Sequence, residues 1–153
     1  MAVINISATL QYKALPFQAH ASAAKAAIDS LTQTLGLEFA VDHGVRVVGI
    51  APGPIAGTEG GPTGRVFGAA LAGQDVRDLV PTGRWGETSD IGMTALYLAS
   101  AAGSYVNSTV VVVDGGNWHD GSRTYRAARD IIMEMSAGRE KKSPAAGLPR
   151  SKL

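Results

Sequence analysis

The chain has 153 residues, 45% of them hydrophobic and 18% charged, which suits one globular domain and is too apolar for a disordered segment. A formal net charge of +1 gives no electrostatic footprint for a nucleic-acid partner, and no charge-free run of roughly 18 apolar residues is present to span a bilayer. With no cysteine and three scattered histidines (His20, His43, His119), disulfides and thiolate metal sites are excluded and no metal is expected.

Nineteen glycines against three phenylalanines and two tryptophans point to small-residue packing with tight backbone approaches, as in α/β layers. Val3 to Ile6 reads as a short apolar strand that starts almost at Met1, so further elements are expected upstream. After a loop through Tyr12 and Pro16, His20 to about Val41 is a long helix. Its apolar side is read as Ala24, Ile28, Leu31, Leu35 and Phe39, and a second side carries Ala23, Ala26, Ala27 and Ser30. The small side suits close packing on a strand layer or on a second copy of the helix.

Gly44 supplies the left-handed helix end, and Val45 to Ala51 follows as a strand, so helix then strand implies a parallel crossover. The Gly- and Pro-rich run from Pro52 to Gly64 marks a long loop at that strand's C-terminal end, where open α/β sheets bind ligands. Weak helix is expected from Arg65 to Leu79, then a turn from Pro81 to Gly86. Thr88 or Ser89 can cap a helix that places Ile91, Ala95, Leu98 and Ala99 on one face and ends near Gly103. Thr109 to Val113 is β-branched throughout and reads as a strand buried on both faces, closed by Asp114-Gly115-Gly116. Ser122 to Met135 is expected to be helical, with Arg139 to Arg150 irregular. The chain ends Ser151-Lys152-Leu153, the tripeptide read by the peroxisomal import receptor. The expected division is a domain over residues 1–118 and a helix with a targeting tail over 119–153.

Ile6-Ser7-Ala8, the helix lysine Lys25, Pro52-Gly53-Pro54-Ile55 with Thr58, and Val113-Asp114-Gly115-Gly116 follow one another in the order and spacing of the second half of a short-chain dehydrogenase/reductase, which the chain resembles. The resemblance implies the C-terminal half of a Rossmann-like fold, parallel strands with flanking helices, without the N-terminal nucleotide-binding βαβ units. In that family a tyrosine stands four residues before the lysine, and here the position is Ala21. The departure matches the branch of peroxisomal dienoyl-CoA reductases, with which the runs Ile6 to Leu10 and Ala51 to Gly60 agree closely. Another departure is Val48, where many members carry asparagine.

The branch implies an NADPH-dependent oxidoreductase of unsaturated fatty-acid β-oxidation acting on an acyl-CoA thioester. Lys25, Asp114 and Ser7 are then the catalytic candidates. Lys25 would bind the nicotinamide ribose, Asp114 would hold a water that returns a proton, and Ser7 would meet the thioester carbonyl. Lys25, Pro52, Gly53, Ile55 and Thr58 would hold the cofactor. Structural roles stay open beside these: a solvated helix lysine for Lys25, a turn residue for Asp114, a satisfied strand end for Ser7, and either packing or proton donation for Tyr12. A homo-oligomer is implied. The truncated chain can also be read as a non-catalytic oligomerisation partner of a full-length paralogue, or as a trans-2-enoyl-CoA reductase, against which Ala21 argues.

Overall fold

The computed structural model describes residues 1–13, 15–65, 68–119 and 122–142, which bears on the α/β expectation directly. Strand β1 (Ala2–Ile6) is followed by helix α1 (Ala19–His43), strand β2 (Arg46–Pro52), single helical turns α2 (Gly68–Leu71) and α3 (Val76–Leu79), helix α4 (Thr88–Ala99) and strand β3 (Thr109–Val113). The strands form one parallel sheet in the order β1-β2-β3. Ile6 is opposite Ile50, and Pro52 is opposite Val113, so the C-terminal ends of all three strands lie along one side of the sheet. The chain divides into two compact units, Met1–Ser122 and Arg123–Leu153. The second contains most of α5 (Ser122–Lys142), which runs beyond the expected end at Met135 because Arg139, Glu140, Lys141 and Lys142 are good helix formers. Ser151, Lys152 and Leu153 lie outside the described residues.

Gly44 ends α1 with φ 63°, and its N–H bonds back to the Ala40 carbonyl at 3.2 Å. The strand it launches is the centre of the sheet, with Val47, Val48, Ile50 and Ala51 all at 1% exposure or less. Val48 and Ile50 meet Leu98 of α4 in the core, with Ile4, Ile91 and Val111 packed around them. The valine at 48 therefore contributes to apolar packing at the position where many relatives were expected to place asparagine.

The helix face predicted to be apolar is only partly the one that meets the sheet, with Ile28, Leu35 and Phe39 half-buried beside it. Along α1 the buried positions are Asp29, Thr32 and Gly36, whereas Ala24 is exposed and Leu31 is 51% exposed. The reason is the polarity and closeness of what lies opposite. Asn5 of β1 donates to Thr32 Oγ1 at 2.9 Å, and Asn107 both accepts from the Val47 N–H at 2.8 Å and donates to the Gly36 carbonyl at 2.7 Å. A Cβ on Gly36 would stand 2.8 Å from the Cα of Ser108. Ala23, Ala26, Ala27 and Ser30 face outward and are exposed. The reading of β3 as buried on both faces is also corrected: it is an edge strand with Thr109 exposed and the valines half-buried, and the strand enclosed on both sides is β2.

Helix α4 starts from Glu87, not from Thr88 or Ser89. Asp90 Oδ2 accepts from the Glu87 N–H at 2.8 Å, and Arg84 grips the same carboxylate at 2.8 and 2.7 Å. The Arg84 hydrogen bond, then the Glu87 N–H, hold the Asp90 carboxyl well below the usual carboxylate range.

Two outcomes follow from this packing. Gly36→Val should cost about 1–3 kcal/mol in urea unfolding because the helix must lift from residue 108, whereas Leu37→Ala, at a position 66% exposed, should stay within about 0.5 kcal/mol. A carboxyl whose folded pKa is depressed stabilises fully above its unfolded value, roughly pH 4, and loses that contribution as pH falls through the lower folded value. The Glu87 amide resonance should therefore stay in place at roughly pH 4 and move only in stronger acid, and Asp90→Asn should abolish that transition.

Candidate functional site

Where β1 and β2 end, the chain turns out of the sheet and encloses a cavity of about 600 Å³. Ile6, Ala8 and Thr9 line one side, Pro52, Gly53, Pro54, Ile55 and Thr58 form a wall, and Leu79, Trp85 and Ile91 stand across from them. Four residues predicted to contact a cofactor, Pro52, Gly53, Ile55 and Thr58, thus border one space. Their local reasons are structural. A Cβ on Gly53 would lie 2.8 Å from the Cα of Asp114, so the glycine is required by the neighbouring strand end. Thr58 donates its hydroxyl to the Ile55 carbonyl at 2.8 Å and closes the turn through Gly57, which has φ 73°. Ile55 pairs with Gly86, tying the wall to the segment before α4.

Ser7 and Lys25 are brought together at the end of β1. Ser7 is 4% exposed, and its hydroxyl donates to Asp29 Oδ1 at 2.5 Å. Lys25 extends its Nζ to the Ile6 carbonyl at 2.9 Å, adjacent to Ser7 in the chain. Ala21 precedes Lys25 by one helical turn on the same helix. Asp114 stands apart from this pair. Its Oδ1 accepts from the Gly116 N–H at 2.8 Å and its Oδ2 from the Trp118 N–H at 2.7 Å, and it borders a smaller space of about 290 Å³ with Thr82 and Arg84. Among the described residues no hydrogen bond joins it to Ser7 or Lys25.

The residue that sequence reasoning missed is Asp29, 9% exposed and one helical turn beyond Lys25. Its carboxylate accepts from Ser7, from Gln11 Nε2 at 2.6 Å and from the Tyr12 hydroxyl at 2.7 Å. Three donors thus converge on one buried carboxylate. Burial first, then the hydrogen bond to Asp29 and its charge, push the Tyr12 phenol up to about 12. Gln11 also donates to Ser7 Oγ at 3.0 Å, and its own Oε1 is a buried acceptor without a partner among the described residues. The available signal was an acid four residues after the helix lysine, in a stretch of alanines where a carboxylate has no local reason to be.

Residues 1–117 match the family described as enoyl-(acyl carrier protein) reductase. The chain is 44% identical over 153 residues to the peroxisomal 2,4-dienoyl-CoA reductase of Arabidopsis thaliana, a match covering 99% of this chain and 50% of that protein. It is 39% identical over 135 residues to the enzyme of that name from Danio rerio, covering 88% of this chain and 44% of that one. A short chain dehydrogenase from Bacillus anthracis superposes with a TM-score of 0.65 at 36% identity, over 76% of this chain and 44% of that one. A 3-oxoacyl-[acyl-carrier protein] reductase with bound NAD from Brucella melitensis does so with a TM-score of 0.62 at 29% identity, over 76% and 40%. The chain spans about half the length of the curated relatives it matches. With the sheet order, the Pro52–Thr58 wall and the lysine-bearing helix, these matches establish that the chain belongs to the short-chain dehydrogenase/reductase family and carries the C-terminal half of its fold.

Proposed function

We propose that the chain carries the substrate side of an NADPH-dependent 2,4-dienoyl-CoA reductase and is weak or inactive without the nucleotide-binding half of the fold. The observation that carries this reading is the cluster of Ser7, Lys25 and Asp29 at the end of β1, with Ala21 where an ordinary member has its tyrosine. Alanine has no proton to exchange with a carbonyl oxygen, so reduction of a simple ketone or alcohol oxidation is disfavoured. That absence also separates this reading from a trans-2-enoyl-CoA reductase. The names of the relatives point to the same thioester substrate class.

The residues present fit the nicotinamide end of such a cofactor. An apolar wall of Pro52, Gly53, Pro54 and Ile55 borders a cavity of about 600 Å³, and the Lys25 ammonium bonds to the carbonyl of Ile6, one of the residues lining it. Pro52, Gly53, Ile55 and Thr58 would hold the ring and its amide, and Lys25 the ribose. When bound, NADPH supplies the hydride. A solved relative holds NAD, and the preference for the phosphorylated form rests on the resemblance to the dienoyl branch.

The chain's own groups then act on the other half of the reaction. Ser7, whose single O–H bonds to Asp29 in this structure, would turn it to the thioester oxygen, where negative charge collects, and the Lys25 ammonium would stabilise that charge. The proton that completes the reduction would come from a water held by Asp114, as the resemblance implies, and the hydroxide left behind would be reprotonated from solvent. Asp29 accepts three hydrogen bonds, from Ser7, Gln11 and Tyr12, whereas Asp114 accepts two, from Gly116 and Trp118, and borders open space, so Asp114 keeps the capacity to hold that water.

The exposed small face of α1, Ala23, Ala26, Ala27 and Ser30, favours self-association or pairing with a longer paralogue as a second reading. Ser151, Lys152 and Leu153 would direct the protein to the peroxisomal import receptor, in keeping with relatives named peroxisomal.

Cofactor fluorescence with and without a 2,4-dienoyl-CoA tests the first reading. Weak NADPH binding is expected, reduced about tenfold or more, about 1.4 kcal/mol, by Lys25→Ala; tight binding with turnover would mean that copies of the chain complete each other's sites. A fluorescent protein fused ahead of the chain should collect in peroxisomes, and deletion of the last three residues should leave it diffuse. Unchanged punctate signal after the deletion would remove the tripeptide from the targeting role.

A further inference from the structure

Tyr12 lies where three parts of the first unit meet. Its hydroxyl donates to Asp29 Oδ2 of α1 at 2.7 Å. Its ring stands edge-on to Trp118, with centroids 5.6 Å apart, in the turn after β3. Its own loop supplies Ala8, Thr9, Leu10 and Lys13 to the cavity lining. Two further bonds close the same triangle: Lys13 Nζ donates to the Asn117 carbonyl at 3.4 Å, and Gln11 Nε2 reaches both Ser7 Oγ and Asp29 Oδ2. A phenol 37% exposed is thus spent on a buried carboxylate and not on solvent.

We propose that Tyr12 is a positioning residue, fastening the cavity-lining loop 8–13 to the Asp29 carboxylate and thereby holding Ser7 and Asp29 in register for the thioester. This rests on the function proposed above for what Ser7 does, while the fastening itself is a property of the chain alone. Without the hydroxyl, Gln11 is left as the loop's side-chain bond to Asp29, and without the ring the loop also loses Trp118. The titratable and charged groups facing the pair are Lys25 on α1 with Nζ on the Ile6 carbonyl, Lys13 on the loop, and His119, whose ring lies 4.2 Å from that of Trp118. β1 contributes the neutral Asn5.

The test uses the full chain and needs no turnover. In Tyr12→Phe, which keeps the ring, hydrogen exchange of the amides of Thr9 and residue 12, bonded to the Pro52 and Thr9 carbonyls, should quicken about tenfold, with β2 amides unchanged. In a spectrophotometric titration one tyrosine should ionise near 12, and Asp29→Asn should bring that step down toward the ordinary value. Unaltered loop exchange in Tyr12→Phe, or an unaltered titration in Asp29→Asn, would overturn the proposal. Where a dienoyl-CoA is turned over, Tyr12→Phe should lower kcat more than it changes KM. An unaltered kcat would likewise overturn it. A chain that reduces no dienoyl-CoA defeats the functional reading, and exchange and titration then decide on Tyr12 separately.

Discussion

The contact between α1 and the sheet is made by a carboxylate, a hydroxyl and a glycine. Asp29, Thr32 and Gly36 form the buried line of the helix, and each is anchored from the other side: Asp29 by the β1 end and its loop, Thr32 by Asn5, Gly36 by Asn107. A buried polar seam is specific because every member needs its partner. The seam sets the height and rotation of the helix, and these bring Lys25 to the Ile6 carbonyl and Asp29 to Ser7. An apolar stripe would tolerate sliding; hydrogen bonds at about 2.5–3 Å do not.

Opposite that seam, the cavity depends on a different device. Its Pro52–Thr58 wall is held by backbone closure: Gly53 N–H on the Val113 carbonyl, Ala56 N–H on the Gly86 carbonyl and the Thr58 hydroxyl on Ile55. Backbone bonds thus fix the wall on either side of the buried Ile55. Trp85, held next to Gly86, faces the same space because the Arg84–Asp90 pair fixes where α4 begins.

The strands and long helices were legible because their signals are local: β-branched runs, a left-handed glycine after His43, and Pro-Gly after β2. The buried face of α1 was not, because periodicity weighs Leu31 and Leu35 above Thr32 and Gly36, and only the neighbours Asn5, Asn107 and Ser108 reverse that weight. That Pro52, Gly53, Ile55 and Thr58 border one cavity was readable from their motif, as was the meeting of Ser7 and Lys25 at the end of β1. Asp114 was read as either chemistry or a turn residue, and its oxygens accept the Gly116 and Trp118 N–H groups of the turn that follows β3. Asp29 escaped notice because its burial depends on a loop 17 and 18 residues upstream.

The order β1-β2-β3 with parallel pairing throughout also governs how the chain reaches its native state. Ile6 must find Ile50, and Pro52 must find Val113, so no strand can pair with its neighbour through a tight hairpin. Every ladder bond waits on closure of a long crossover, whose entropy is lost before any pairing compensates it. Helix α1 can form from local interactions, and β2, apolar and central, is the segment left waiting for two partners. β2 is therefore the stretch most exposed to wrong association until its neighbours pair with it, and α1, whose polar seam grips β1, its loop and Asn107, packs against it from one side.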